Sequence, residues 1–213
     1  MASRHLAFAL QKPISQTLYL ARHGDTKFNS DGTGERVRGW LNVPLTAKGK
    51  AEAEQAGKKL KGKGIVGMFS SDLRRASETA EIIAKHIGLK PEFSPLLRTW
   101  NVGMYEGAAC DDCQEFIDQF TQTPDQPIPG GESFNQFKKR IFSGVTDAAQ
   151  KYFGRTVLIV THHSVERAVE AWDKAGQPPD HSLDMAVYHE KGDKPGAVEM
   201  MRTSVAALKG QNA

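Results

Sequence analysis

Leu18-Tyr19-Leu20-Ala21-Arg22-His23-Gly24-Asp25-Thr26 is the stretch whose reading decides the fold. Its apolar run reads as a short strand, and Gly24 breaks it into a polar loop. Strands of an α/β sheet end at the edge where ligands bind. Arg22 supplies a forked, permanent positive charge there. His23 supplies an imidazole that is partly neutral near pH 7. Gly24 permits close backbone approach or a positive φ.

Two further strands end the same way. Ile65–Phe69 runs into Ser70-Ser71-Asp72-Leu73-Arg74-Arg75, and Thr156–Val160 runs into Thr161-His162-His163-Ser164. After the second strand, Leu73, Ala76, Ala80, Ile83 and Ile87 repeat at helical spacing. Ser71 or Asp72 is the expected N-cap, and the helix start is an anion site in itself. After the third, Ser164 is the expected cap of a helix over Val165–Lys174. Arg74 and Arg75 point about 100° apart, so only one of them can face a given ligand.

The remaining chain fills in around these junctions. Thr46 caps a helix from Ala47 to Leu60, with Glu54 and Lys58 as an i,i+4 pair, and Gly62 and Gly64 end it. Lysines 58, 59, 61 and 63 read as a solvated helix end. Pro91–Pro95 is a short edge strand, and residues 111–122 form a short helix. Ser133 opens a capping box for a helix reaching about Phe153. Met185–Glu190 and Ala197–Thr203 read as a terminal hairpin across Lys191–Gly196, so one strand should be antiparallel. Strands alternating with helices make an α/β fold, a three-layer αβα sandwich around a mostly parallel sheet. Residues 1–16 read as a loosely held segment and 17–213 as a single domain. Parallel strands carry Arg22, His23, Arg75 and His162 to one edge, a cationic cup suited to a phosphate dianion.

Composition narrows the classes. The chain has 213 residues, 39% hydrophobic and 25% charged, with net charge +3. That excludes disorder as a class, and the charge argues for no nucleic-acid partner. No apolar run has the length of a membrane span. Leu6–Leu10 is too short for a secretion signal, so the expected location is cytoplasmic. Cys110 and Cys113 form a C-x-x-C with two Asp between them, which hinders thiolate formation. No second ligand pair supports zinc there, and adjacent His162 and His163 are poorly placed to coordinate one ion, so neither metal nor cofactor is expected.

With these residues in place the sequence resembles the histidine phosphatase superfamily, also called phosphoglycerate mutase-like. R-H-G-x-T-x-x-N matches at Arg22–Asn29, P-L-T-x-x-G at Pro44–Gly49, S-S-D-L-x-R-A-x-x-T-A at Ser70–Ala80, G-G-E-S at Gly130–Ser133 and V-[ST]-H at Val160–His162. The resemblance implies His23 as the phosphorylated nucleophile, with Arg22, Arg75 and His162 holding the phosphoryl oxygens. It implies Asn29 beside a small phosphorylated substrate. Thr26, Gly24 and His163 are further expected binding positions. The implied activity is metal-independent hydrolysis of a phosphomonoester or phosphoanhydride through a phosphohistidine. A mutase, or a phosphate-binding protein with weak turnover, is the alternative.

Two departures stand out. The family commonly has glutamate, the acid that protonates the leaving group, where this chain has Thr99, and a threonine hydroxyl is no general acid near neutral pH. Either another carboxylate substitutes, with Glu35, in the loop Gly34-Glu35-Arg36-Val37-Arg38-Gly39-Trp40, and Glu106 the candidates, or the leaving group needs no acid. The family often has glycine where this chain has His163, which would narrow the pocket or add a cation. The mutase branch also carries a longer, basic insertion between the equivalents of Gly107 and Gly130. Here that stretch is short and acidic, which favours hydrolysis.

Overall fold

The computed structural model describes residues 15–30, 35–190, 196 and 198–204. Most of the N-terminal segment, residues 31–34 of the long loop and most of the Lys191–Gly196 linker lie outside the described residues.

In chain order the elements are β1 (Ser15–Arg22), α1 (Lys27–Ser30), α2 (Ala47–Leu60), β2 (Ile65–Ser71), α3 (Arg74–Ile87), β3 (Glu92–Ser94), α4 (Cys110–Gln122), α5 (Phe134–Lys151), β4 (Thr156–Thr161), α6 (His163–Lys174), α7 (Met185–His189) and β5 (Val198–Ser204). The sheet order is β3-β2-β4-β1-β5. β3, β2, β4 and β1 run parallel, and β5 pairs antiparallel with β1 from Ser15↔Ser204 to Ala21↔Val198.

The period-2 alternation of the strands divides the core into two layers. Leu18, Leu20, Phe69, Val157 and Ile159 face α5 and α6, packing on Phe137, Ile141, Phe142, Val165, Val169 and Trp172. Ala21, Met68, Leu158 and Val160 face α2 and α3, packing on Ala56, Leu60, Ala80 and Ile83. This is the three-layer sandwich, with the sheet buried on both faces as parallel sheets require.

Several local expectations change. Met185–Glu190 is not a strand: Asp184 caps α7, its Oδ1 accepting from Ala186 N and Val187 N. Met185 and Tyr188, three residues apart on one helical face, pack on the larger core. Neither Ser71 nor Asp72 caps α3. Ser71 still belongs to β2, Asp72 is held by Arg98, and Leu73 occupies the cap position. His162, not Ser164, is the N-cap residue of α6. Glu54 reaches across to His86 of α3 at 2.5 Å.

The turn after β1 is set by backbone packing. A Cβ on Gly24 would lie 2.3 Å from Gly49 O, and one on Gly49 would lie 2.1 Å from Asp25 O. Only two glycines allow the turn to sit on the first turn of α2. Thr46 completes the contact: its N donates to Asp25 O, and its Oγ1 donates to Asp25 Oδ2 at 2.7 Å while accepting from Gly49 N.

Helix propensity favours alanine over glycine at position 49 by about 1 kcal/mol, but the clash is with backbone and outweighs it. Gly49→Ala should destabilise by more than about 2 kcal/mol. Gly57→Ala, whose Cβ meets only the His86 side chain, should cost less. Urea midpoints compare the two.

Candidate active site

Register brings the three strand ends level. Arg22 pairs with Thr161 across β1 and β4, and Ser70 pairs with Val160 across β2 and β4. The next residues are His23, His162 and Ser71. His23 N donates to Thr161 O at 3.0 Å, continuing the ladder one residue beyond the strand. The His23 and His162 rings lie 5.2 Å apart, centroid to centroid. Arg22, His23, Arg75 and His162, the four residues expected to converge, are all buried and gathered here.

Each side chain has a defined orientation. His23 Nδ1 lies 2.8 Å from Gly24 O. A carbonyl only accepts, so the proton sits on Nδ1 and the lone pair on Nε2. His162 Nε2 lies 2.8 Å from Ser71 Oγ. Ser71 Oγ also accepts from Leu73 N. His162 Nδ1 is buried with no hydrogen-bond partner among the described residues. Arg75 is locked by two backbone bonds of 2.8 Å, Nη1 to Leu41 O and Nη2 to Gly39 O, while its buried Nε has no such partner. Gly24 N donates to Thr79 Oγ1, which donates to Arg75 O, joining the His23 turn to α3.

The electrostatics follow from burial next to like charge. Burial, then Arg75, Arg38 and Arg22, hold the His23 pKa well below the usual imidazole range. Burial, then Arg75, does the same to His162. Burial and Arg38 pull Arg75 down to about 9, still protonated at neutral pH. Arg22 is lowered by burial and Arg38, opposed first by Glu166. His163 falls to about 3 through burial, Arg22, Arg167 and Arg38. His163 is therefore a neutral ring and adds no cation, in contrast to one sequence expectation.

The other candidates lie around this centre. Asn29 Oδ1 accepts from Thr26 N and Oγ1, and its Nδ2 donates to Glu35 Oε1 at 3.3 Å. Thr26 is fully buried and supports Asn29. Glu35 Oε1 also accepts from Arg38 Nη2 at 3.0 Å. Glu106 Oε1 accepts from Trp40 N, so Glu106 shapes the 39–41 turn. Thr99 Oγ1 shares a 2.7 Å hydrogen bond with Ser164 Oγ, and Thr99 O accepts from Trp40 Nε1 and Arg140 Nη2.

Arg38 has no sequence signal beyond its place in the long loop, and its approach to the centre becomes legible only through the fold. Thr79 and Glu166 are likewise drawn in by packing. Neither Cys110 nor Cys113 is in a disulfide, and burial and Glu35 push Cys110 up to about 11, away from thiolate chemistry. Among the described residues no group of three His, Cys, Asp or Glu could hold a metal ion, and no helix is long and apolar enough to cross a membrane.

Three imidazoles kept neutral by the fold make stability pH-dependent. The unfolded chain takes up these protons below about pH 6.5 and the fold does not, so stability falls as pH drops. For His163 the window runs from 6.5 to about 3. His163→Asn should make the fall shallower by up to about 1.4 kcal/mol per pH unit, read from urea unfolding between pH 6.5 and 5.

The model of the histidine phosphatase superfamily (branch 1) matches residues 18–189 of this chain. The probable phosphoglycerate mutase GpmB of Salmonella paratyphi B is 35% identical over 150 residues, 68% of this chain and 68% of that protein. A solved phosphoglycerate mutase from Thermus thermophilus has a TM-score of 0.64 at 29% identity, covering 86% of this chain and 91% of the other. A mycobacterial glucosyl-3-phosphoglycerate phosphatase solved with VO3 reaches a TM-score of 0.71 at 23% identity, covering 86% and 91%, and shows likeness of fold. The family match spans most of the chain and includes all three strand-end junctions, so this chain belongs to the histidine phosphatase superfamily.

Proposed function

We propose that the protein is a metal-independent phosphatase that works through a phosphohistidine on His23. The observation that carries this reading is the fixed, neutral His23 beside two buried arginines: Nδ1 is anchored on Gly24 O and the Nε2 lone pair is left for attack. Nε2 attacks phosphorus in line as the bond to the leaving oxygen breaks. Arg22, Arg75 and His162 stabilise charge on the equatorial oxygens, the task a metal performs in other phosphoryl-transfer sites. Water then attacks the phosphohistidine, the P–N bond breaks with its electron pair returning to Nε2, and phosphate leaves.

Support for hydrolysis over mutase chemistry comes from the segment between Gly107 and Gly131. It contains no Lys, Arg or His, while Asp111, Asp112, Glu115, Asp118 and Asp125 make it acidic. A mutase must retain a doubly phosphorylated intermediate while it turns over in the site, and an acidic lip works against retention. The mutase reading keeps two specific supports, the names carried by the relative at 35% identity and by the Thermus thermophilus structure at 29%.

The protein is expected to release phosphate from p-nitrophenyl phosphate in the presence of EDTA, and His23→Ala should reduce kcat by at least about 10³-fold. Activity lost to EDTA and restored by zinc or magnesium would overturn the metal-independent reading. Isomerisation of a phosphoglycerate that requires a bisphosphate primer, without net phosphate release, would establish the mutase instead.

A further inference from the structure

The reaction proposed above leaves one step without an agent, the departure of the leaving group. Thr99 occupies the position where the resemblance leads one to expect an acid, and its hydroxyl is paired with Ser164. Glu106 is committed to Trp40 N. The Glu35 carboxylate accepts from both Arg38 and Asn29, bonds that a proton on that oxygen would displace. What stands near the centre in place of an acid is a third guanidinium.

Arg38 is held there by backbone. Residues 35–37 pair with 107–110, through Val37 N to Ala108 O, Gly107 N to Val37 O and Cys110 N to Glu35 O. Leu41 N donates to Arg38 O, and the Arg75 guanidinium grips Gly39 O and Leu41 O, one and three residues along. The Arg38 side chain is 13% exposed. Nη2 is occupied by Glu35, while Nη1 is buried with no hydrogen-bond partner among the described residues. Its charge is among the main ones acting on Arg22, His23, Arg75, His162 and His163, and on His23 it outweighs Arg22. A largely enclosed cation among like charges, with one buried donor unused beside its Glu35 pair, has room for a second anionic partner.

We propose that Arg38 is the leaving-group residue of this site: its Nη1–H binds the bridging oxygen and stabilises it as an anion, in place of a general acid. The inference rests on the phosphatase reading above. In the first step the His23 Nε2–P bond forms and the P–O bond to the leaving group breaks. The electron pair goes to that oxygen, which departs as RO⁻ against Arg38 without a proton from the protein. This chemistry selects leaving groups that are stable as anions, so the substrate class is phosphoanhydrides and aryl phosphates, and simple alkyl phosphates are poor substrates.

Leaving-group dependence separates this role from the two simpler ones. In a series of aryl phosphates of rising phenol pKa, kcat/KM reports the first phosphoryl transfer. If Arg38 stabilises the departing oxygen, Arg38→Gln should steepen the dependence, with a loss of about 10-fold for p-nitrophenyl phosphate and about 10²–10³-fold for phenyl phosphate. Arg38→Lys, which keeps the charge but not the fork, should fall between. Inhibition by inorganic phosphate should change much less than kcat/KM. A parallel loss across the series with weaker phosphate inhibition would make Arg38 a phosphoryl-binding residue and overturn the proposal, as would no loss at all. Wild-type turnover of alkyl phosphates at aryl rates would overturn it too. A wild type inactive on every aryl phosphate would remove the phosphatase reading itself, and this inference with it. Urea midpoints for both variants equal to that of wild type tie the losses to chemistry; a lowered midpoint that tracks the loss across substrates assigns Arg38 a structural role and overturns it.

Discussion

Mutual repulsion among buried cations is the constraint to which the rest of the architecture answers. Arg22 and Arg75 are almost wholly buried, and the charge of Arg38 bears on both. A lone guanidinium in apolar surroundings would cost several kcal/mol. The fold meets that cost with dipoles and a few dispersed carboxylates. Gly39 O and Leu41 O take Arg75, Glu35 takes Arg38, and the charge of Glu166 bears on Arg22. The two histidines give up their protons instead of adding to the repulsion. Positive charge gathered this closely suits an anionic guest such as a phosphoryl dianion. Preorganised positive charge is what stabilises a transition state whose negative charge spreads over equatorial oxygens.

Rigidity of the frame makes the arrangement possible. Parallel pairing of β1 with β4 and β4 with β2 sets the three strand ends at one level without any side-chain contact. The glycine contact between the His23 turn and α2 then fixes how far the imidazole protrudes. The Arg98 and Arg140 guanidinium groups lie over the Trp40 ring, 4.8 and 5.5 Å from its centroid, and Trp40 carries the turn that receives Arg75. Binding geometry is thus decided by backbone and by packed aromatic and cationic planes, with few freely rotating groups.

The sequence carries the centre more clearly than its surroundings. Apolar runs that stop abruptly at Arg22-His23, Ser70-Ser71 and His162 are legible because a parallel sheet buries its strands and wets only their ends. Helix α5 is legible from Ser133 and Gln136, whose capping box is purely local. Less legible are features whose partners lie far along the chain. Ser71 has the chemistry of a helix cap but spends it on His162. Met185–His189 alternates like a strand, and only the Asp184 cap and the core beneath Tyr188 make it helical. Arg38 is one charge in a loop until the 107–110 segment and Arg75 pin it beside His23. The substitution at Thr99 is visible only against the family pattern.

The central claim is covalent: phosphorus passes through Nε2 of His23. The most direct measurement is mass spectrometry, with ³¹P NMR, of protein quenched in base during turnover of p-nitrophenyl phosphate, conditions under which a phosphoramidate survives. The account predicts one acid-labile phosphoryl group, mapped to the peptide carrying Arg22-His23-Gly24. A phosphoryl group on any other residue, or turnover with no phosphoenzyme and retained activity in the His23 variant, would contradict it.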